Sequence, residues 1–187
     1  MNSDLYLISK ETERLVIEKI TPHDCKPWTE FFKSEEASLY LPNTENKAPA
    51  ERAQAMVEKQ FIRYKENKHG LMKLLDKRTK HFIGMCGLLN QHFDNTDELE
   101  IGYHLFPAFW KQGYATEAAR FFRDFGFENN LANSLVSIIH INNIASQKVA
   151  LKNGMKNEKQ TRFFDMDVFV FRITEDKWKL LRENENN

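Results

Sequence analysis

One segment of the chain, residues 106–119, has residue types at a spacing that suits phosphate binding. Its sequence, FPAFWKQGYATEAA, starts where an apolar strand meets Pro107 and runs through a short loop to Gly113, where a helix begins. The first amide N–H groups of a helix have no acceptor within it, and with the helix dipole they attract an anion. Gly113 lets a phosphate approach the backbone, and Lys111 adds positive charge. A glycine before a helix also occurs in loops that bind nothing, so both interpretations stay open here.

The strand before this loop carries titratable side chains on one face. Residues 98–106, ELEIGYHLF, place Leu99 and Ile101 on one face and Glu100 and His104 on the other. A carboxylate and an imidazole can both accept a proton near neutral pH. From the residues alone, the simpler interpretation of Glu100 is a solvated carboxylate on an edge strand, and Glu98 is interpreted as surface charge.

The sequence does not predict a metal site or cysteine chemistry. Its six histidines lack the spacing of metal ligands, so we expect no metal. The two cysteines, Cys25 and Cys86, are unpaired in spacing, which excludes a disulfide scaffold and a cysteine-based zinc site. Cys86 lies in an apolar strand pattern and is predicted to be buried.

Hydrophobic periodicity predicts a mixed α/β fold (α+β in its mixture of hairpins and a crossover), with about seven strands and helices on both faces of the sheet. The strand–helix–strand unit at residues 98–141 should be a right-handed crossover, which makes its two strands parallel. We predict strands at 14–20, 71–77, 81–89, 98–106 and 134–141 and two more within 155–172; helices are predicted at 28–38, 50–67, 113–128 and 143–153 and around Trp178, with Arg120, Arg123 and Asp124 facing solvent.

Composition narrows the class of protein. The chain has 187 residues, 27 Lys plus Arg and 27 Asp plus Glu, so its formal net charge is zero. This length predicts a single domain over residues 1–187, with a frayed tail at 183–187. No dense basic block indicates nucleic-acid binding, and no apolar run is long enough to span a membrane. The first residues lack the pattern of a secretory signal, so we expect a cytoplasmic location.

The chain resembles the GNAT acetyltransferases, and more narrowly the branch that contains the Rim-type ribosomal-protein N-acetyltransferases. Four segments match in order: TERLVIEKI, HFIGMCGL, ELEIGYHLFPAFWKQGYATEA and NNIASQKVALKNGM. Together they cover the chain from about Glu11 to Trp178. Two features depart from the branch: Lys111 stands where glycine is usual, which should alter loop flexibility, and the segment MKNEKQTRFF replaces a Gly-Phe start on the acceptor side.

The resemblance implies acetyl-CoA as the acetyl donor. In this family the strand before the loop splays from the next parallel strand, and the pantetheine arm inserts between them. The main chain of Tyr103, His104 and Leu105 would then bind the pantetheine, and Asn143 and Ser146 would reach the cofactor from the following helix. The implied pyrophosphate ligands are the amides of Gln112, Gly113, Tyr114, Ala115 and Thr116.

The resemblance also implies direct transfer of the acetyl group to a primary amine. Glu100 is the first candidate for the base and His104 the second; an amide near Tyr103 or His104 would stabilise the oxyanion, and Ser146 would protonate the departing thiolate. Ser146 has the equally simple role of serving the first turn of its helix. The acceptor is either a protein N-terminus or a small-molecule amine.

Several alternatives remain open from the sequence. A non-catalytic acyl-CoA-binding or regulatory module is the second hypothesis for function. The protein is expected to be a monomer or a homodimer, with neither nucleic acid nor membrane as a partner. Four aromatic residues fall in the region that lines the acceptor side in this family, and at least half of them are expected to serve packing instead: Trp28, Phe31, Phe32 and Tyr40.

Overall fold

The computed structural model describes residues 9–41 and 47–185, which form a single eight-stranded sheet flanked by helices. The strands lie in the order β1-β2-β3-β4-β5-β6-β8-β7, and neighbours are antiparallel except β5 and β6. Their bounds are β1 Lys10–Glu11, β2 Leu15–Glu18, β3 Leu71–Asp76, β4 Phe82–Phe93, β5 Thr96–Leu105, β6 Ser134–His140, β7 Lys156–Phe163 and β8 Met166–Thr174.

Six helices cover the two faces of the sheet. On one face, Trp28 and Val57 pack against Met85 of β4; on the other, Phe122 belongs to the core beneath Ile101 of β5. The predicted mixed sheet with helices on both faces is confirmed, and the short β1 adds a strand to the seven predicted. The helices are α1 Cys25–Lys33, α2 Glu35–Ser38, α3 Pro49–Lys65, α4 Tyr114–Glu128, α5 Ile144–Lys152 and α6 Glu175–Glu185.

The predicted crossover is present, and α4 connects the two parallel strands. Pairing between β5 and β6 is confined to Glu100 opposite Val136. Beyond this pair, β5 continues along β4 as far as Leu105, while β6 pairs with β8 as far as His140. The C-terminal ends of β5 and β6 therefore diverge, and we call the space between them the strand opening.

Several element boundaries differ from the prediction. The helix expected at 28–38 is two helices, because Ser34 takes an extended conformation and its hydroxyl caps α2 through the amide of Ala37. The helix expected to reach 67 ends at Lys65. Pro42 and Pro49 predict a polar loop between them, and most of that segment lies outside the described residues. Of the predicted frayed tail, residues through Glu185 belong to α6, and the last two lie outside the described residues.

Arg123 was predicted to face solvent, and this prediction is wrong. Its side chain is 1% exposed, and its guanidinium donates to Asn153 O at 3.1 Å and to Asp124 Oδ1 at 2.7 Å. Arg123 lies on the buried side of α4 because its hydrogen bond to Asn153 O connects that helix to the end of α5.

Among the described residues, no helix is long and apolar enough to cross a membrane.

Candidate active site at the strand opening

Side chains replace the ladder bonds that β5 and β6 lose where they diverge. The carboxylate of Glu100 accepts the amide N–H of Ile138 at 3.3 Å through Oε1. The hydroxyl of Ser137 donates to Ile101 O at 3.0 Å. Two of the backbone groups freed by the divergence, Ile138 N–H and Ile101 C=O, are thus satisfied by side chains.

Strand geometry determines which backbone groups face the strand opening. The carbonyl of Ile101 points toward β6, and the direction alternates along a strand, so the peptide groups of Tyr103 and Leu105 point the same way. Those of His104 point to β4, where this residue pairs with Met85. Of the three residues predicted to bind pantetheine through the main chain, Tyr103 and Leu105 therefore have peptide groups that face the strand opening, and His104 does not. The carbonyl of Leu105 already accepts the indole N–H of Trp110 at 2.8 Å.

The predicted phosphate loop, residues 110–116, leads directly into α4. Gly113 caps the helix in the left-handed region, at φ 87° and ψ −7°. The first backbone bond of the helix runs from Glu117 N–H to Gly113 O at 3.0 Å. The preceding amides, which include those of Tyr114, Ala115 and Thr116, thus have no acceptor within the helix. Lys111 also has a left-handed backbone, at φ 60°, a conformation that glycine adopts without strain.

A network of charged groups anchors this loop to the first strands of the sheet. Arg14 donates from Nε to Glu117 Oε2 at 2.7 Å and from Nη1 to Gln112 O at 2.9 Å. Its guanidinium lies 4.5 Å from the centre of the Tyr114 ring. The Tyr114 hydroxyl donates to Asp76 Oδ2 at 2.7 Å, and hydrogen bonds from Thr79, then from Tyr114, lower the pKa of Asp76. This network could not be predicted from the sequence because its members are distant along the chain.

Glu100 is buried, so its interpretation as a solvated carboxylate is wrong. Its side chain is 9% exposed, and its second oxygen, Oε2, accepts from Gln91 Nε2 at 2.6 Å. Burial raises the pKa of Glu100, while the hydrogen bonds from Gln91 and Ile138 act in the opposite direction. The group therefore holds a proton more readily than an exposed glutamate does.

His104 lies on the same face of β5, near the opposite end of the strand opening. Its ring packs edge-on against Phe31, with 6.1 Å between ring centres. Burial lowers the pKa of His104 to about 4, so the imidazole is neutral at pH 7.

Asn143 and Ser146 lie at the start of α5, on the other face of the sheet. Asn143 Oδ1 accepts the Ser146 amide at 3.1 Å and so caps the helix. The Tyr103 hydroxyl donates to Ser146 O at 3.1 Å, which joins β5 to α5 beside the strand opening. Glu100 and Ser146 therefore flank the opening from opposite faces, since successive strand residues point to opposite sides.

Of the four aromatic residues predicted on the acceptor side, three belong to the core. Trp28, Phe31 and Phe32 are each less than one-tenth exposed, and Trp28 stacks on Phe31 at 4.4 Å. Tyr40 differs: its hydroxyl donates to Asn142 O at 3.2 Å, and its ring lies 4.9 Å from that of His140. The segment after α2 therefore contacts the end of β6, next to the strand opening.

Glu98 was interpreted as surface charge, and this is wrong. Its side chain is 10% exposed, and both oxygens accept from Arg172 of β8, at 2.7 and 2.9 Å. Arg172 also donates to Ser134 Oγ at 2.7 Å and to Glu158 Oε2 at 2.8 Å. One guanidinium thus joins β5, β6, β7 and β8 at the closed end of the strand pair.

Within residues 9–41 and 47–185, no group of three or more His, Cys, Asp and Glu side chains is arranged to hold a metal ion.

The sequence of the chain is similar to that of a known protein family and of individual proteins. The model of the acetyltransferase (GNAT) domain matches residues 14–156. The chain is 30% identical to the uncharacterized N-acetyltransferase YoaA of Bacillus subtilis over 152 residues, 79% of this chain and 82% of YoaA. It is 38% identical to the uncharacterized protein YkkB of the same species over 96 residues, 51% of this chain; the match spans only 56% of YkkB.

A solved structure shares the fold at lower identity. RimJ of Mycobacterium smegmatis, in complex with CoA-disulfide, superimposes with a TM-score of 0.74 at 14% identity. The superposition covers 91% of this chain and 89% of that one.

Proposed function

The chain belongs to the GNAT acetyltransferase family, and on this premise we propose that it transfers the acetyl group of acetyl-CoA directly to a primary amine. The observation that carries the proposal is the strand opening. It lies between the phosphate loop and a buried carboxylate, and it interrupts a sheet whose other neighbouring strands are paired.

The donor groups of the chain fit a CoA molecule. Amides at the start of α4 suit a pyrophosphate, and Gly113 has φ 87°, a backbone conformation that is strained for a residue with a Cβ, so the cradle depends on glycine. Backbone groups of Tyr103 and Leu105 face the strand opening, where an amide-containing arm can bind as a strand binds. Acetyl-CoA supplies the acetyl thioester to this site.

Glu100 is proposed as the base. The amine must lose a proton to attack, and a carboxylate whose pKa is raised accepts that proton better than an exposed one. The amine nitrogen bonds to the thioester carbonyl carbon, the carbon–sulfur bond breaks, and the second proton that the nitrogen loses passes through the Ser146 hydroxyl to the CoA thiolate, which leaves as the thiol. The Tyr103 amide is the proposed oxyanion donor, and the Ser146 hydroxyl, on the opposite side of the opening, is the proposed source of the thiol proton.

A protein N-terminus is the acceptor we favour over a polyamine or an aminoglycoside. The chain is electrically balanced, which provides no strong acidic field to attract a polycation. The resemblance to Rim-type enzymes points in the same direction.

The first experiment measures melting temperature with acetyl-CoA, CoA and ATP in parallel. A ligand at 100 times its Kd stabilises by about 2.7 kcal/mol, so acetyl-CoA and CoA should raise the melting temperature clearly and ATP should not. No shift with saturating acetyl-CoA would exclude the cofactor assignment.

CoA release is then measured with an amine panel: a peptide with a free N-terminus, the same peptide acetylated, spermidine, a free amino acid and an aminoglycoside. We expect release only with free primary amines, fastest with the peptide. Glu100→Gln should lower the rate by about 10²–10⁴-fold. Glu58→Gln, which changes an exposed carboxylate on α3, is the control and should leave it unchanged. CoA binding without turnover on any amine would support a non-catalytic acyl-CoA-binding module instead.

A further inference from the structure

Two side chains on neighbouring strands meet beside the strand opening. Gln91 of β4 and Glu100 of β5 lie on the same face of the sheet, one diagonal step apart in the ladder. The Gln91 amide donates to Glu100 Oε2 at 2.6 Å, and the Ile138 amide donates to Oε1 at 3.3 Å. Each carboxylate oxygen therefore has one donor, from a different strand, and these contacts define its orientation.

We propose that Gln91 is a positioning residue for the acetyl transfer: its amide holds the Glu100 carboxylate at the strand opening and sets how strongly that carboxylate binds a proton. The inference rests on the proposed role of Glu100 as base. Gln91 itself is linked to the reaction only through Glu100.

A neutral donor suits this task better than a charged one. A lysine or arginine next to Glu100 would favour the carboxylate strongly and make it a weak base. An apolar residue would leave one oxygen of a buried carboxylate without a partner, at considerable cost. The amide of Gln91 stabilises the charged form enough for it to exist in the core, while burial keeps its proton affinity above that of an exposed glutamate.

The other ionisable groups around Glu100 leave Gln91 as its main adjustable partner. Glu98, on the same face of β5, is neutralised by Arg172 of β8. His104 on β5 is uncharged at pH 7. His140 of β6 lies on the same face of the sheet as Glu100. The charge of Arg63 on α3 acts on Glu100 only weakly.

Two further groups act on Glu100 less directly. Tyr103 lies on the opposite face of β5, and Ile138 contributes only its backbone amide. Removing the Gln91 donor should therefore change the pKa of Glu100 directly.

The test replaces Gln91 by methionine, which keeps the length of the side chain and removes the donor. The pKa of Glu100 is measured by NMR of ¹³Cδ-labelled glutamate, with the signal assigned from its loss in Glu100→Gln. Loss of a hydrogen bond to the charged form should raise this pKa by about one unit. The matched control is Gln54→Met: Gln54 donates to Glu58 at 2.8 Å on the exposed surface of α3, and its loss should leave the midpoint of Glu100 at the wild-type value.

Rates complete the test. CoA release with a peptide that has a free N-terminus is followed from pH 5 to 9. The acidic limb of the profile in Gln91→Met should move to higher pH by the same amount as the NMR midpoint, and Gln54→Met should match the wild type. If Gln91→Met lacks a native circular dichroism spectrum, Gln91→Glu takes its place. Its second carboxylate should move the midpoint in the same direction, because two like charges share one site.

The possible results separate the inference from the proposed function. An unchanged midpoint in the Gln91 variant overturns the inference, even when Glu100→Gln abolishes turnover and so supports the base. A wild-type rate in Glu100→Gln removes the base assignment, and with it any catalytic role for Gln91, whatever the NMR midpoint does.

Discussion

Glu100 and His104 lie on one face of the same strand, yet burial moves their pKa values in opposite directions. Leaving water disfavours the charged form of each group, which raises the pKa of the carboxyl and lowers that of the imidazole to about 4. Near pH 7 the carboxylate is thus a better proton acceptor than in water, while the imidazole is a poorer one. At the residue scale, Glu100 is the better candidate for the base, and His104 is better suited to uncharged contacts beside Phe31.

Lys111 provides a prediction about backbone strain. Its left-handed conformation costs a residue with a Cβ about 1–2 kcal/mol, and glycine avoids this cost but loses about 0.5–1 kcal/mol through its freedom in the unfolded chain. Lys111→Gly should therefore raise the free energy of unfolding by about 0.5–1 kcal/mol, measured by urea denaturation. Lys111→Ala keeps the Cβ and should stay close to the wild type.

Lys68→Gly is the control for this substitution. Lys68 is an exposed lysine outside the left-handed positions, so glycine there should destabilise slightly. Destabilisation by Lys111→Gly as well would contradict the argument from strain.

At the scale of elements, the strand pair β5–β6 is closed at one end and open at the other. The closed end is held by Arg172, whose guanidinium contacts Glu98, Ser134 and Glu158 on three other strands. At the open end, Glu100 and Ser137 complete the backbone hydrogen bonds of strands that no longer pair. We therefore expect the width of the opening to depend on the closed end.

Arg172→Met tests this dependence. The variant leaves Glu98, 10% exposed, without its cation, and should lower the free energy of unfolding by about 3 kcal/mol. CoA affinity, measured by calorimetry under conditions where the variant is folded, should fall as well. Arg162→Met, at an exposed position near the end of β7, should change stability by less than about 0.5 kcal/mol. Unchanged CoA affinity in folded Arg172→Met would mean that the closed end does not control the opening.

The sequence predicted the elements better than the contacts between them. The alternation in residues 98–106 and the glycine at 113 are local patterns, so β5, α4 and the phosphate loop were predicted from a few neighbouring residues. The two-residue β1 is too short to leave a pattern. The break at Ser34 was missed because it rests on the backbone conformation of one residue, which leaves no periodic pattern.

Partners of the site residues required the register of the sheet. Arg172 is 74 positions from Glu98, and Ile138 is 38 positions from Glu100. A polar residue in an alternating strand has the same pattern whether it faces water or a buried partner. For this reason the pattern alone favoured the surface for Glu98 and Glu100, although the resemblance made Glu100 the first candidate for the base, and Gln91 was not noticed.

The whole molecule has two main cores, one on each side of the sheet, and its stability should depend on pH through groups buried beside them. The pKa of His104 is about 4 in the folded protein, whereas an unfolded histidine titrates near 6.5. As the pH falls from about 6.5 to 4, the unfolded chain binds a proton that the folded protein does not. The free energy of unfolding therefore falls over this window. Burial also lowers the pKa of His69, which adds to the same loss.

His104→Gln isolates the share of this residue. Between pH 7 and 5 the wild type should lose about 1–2 kcal/mol more of its unfolding free energy than His104→Gln does, as measured by urea denaturation at both pH values. His92→Gln changes a histidine whose side chain is 68% exposed, and it should keep the pH dependence of the wild type. Identical losses in His104→Gln and wild type would show that His104 titrates normally in the folded state.

The three tryptophans of the chain lie in different surroundings. The indole of Trp110 donates to Leu105 O at the strand opening. Trp28 of α1 stacks on Phe31 in one core, and Trp178 of α6 packs on Phe127 of α4. Emission from single-tryptophan variants can therefore distinguish events on the two sides of the sheet. The molecule contains its own fluorescent reporters, and we expect emission from Trp110 to change when the opening is filled, because its indole is bonded to Leu105 there.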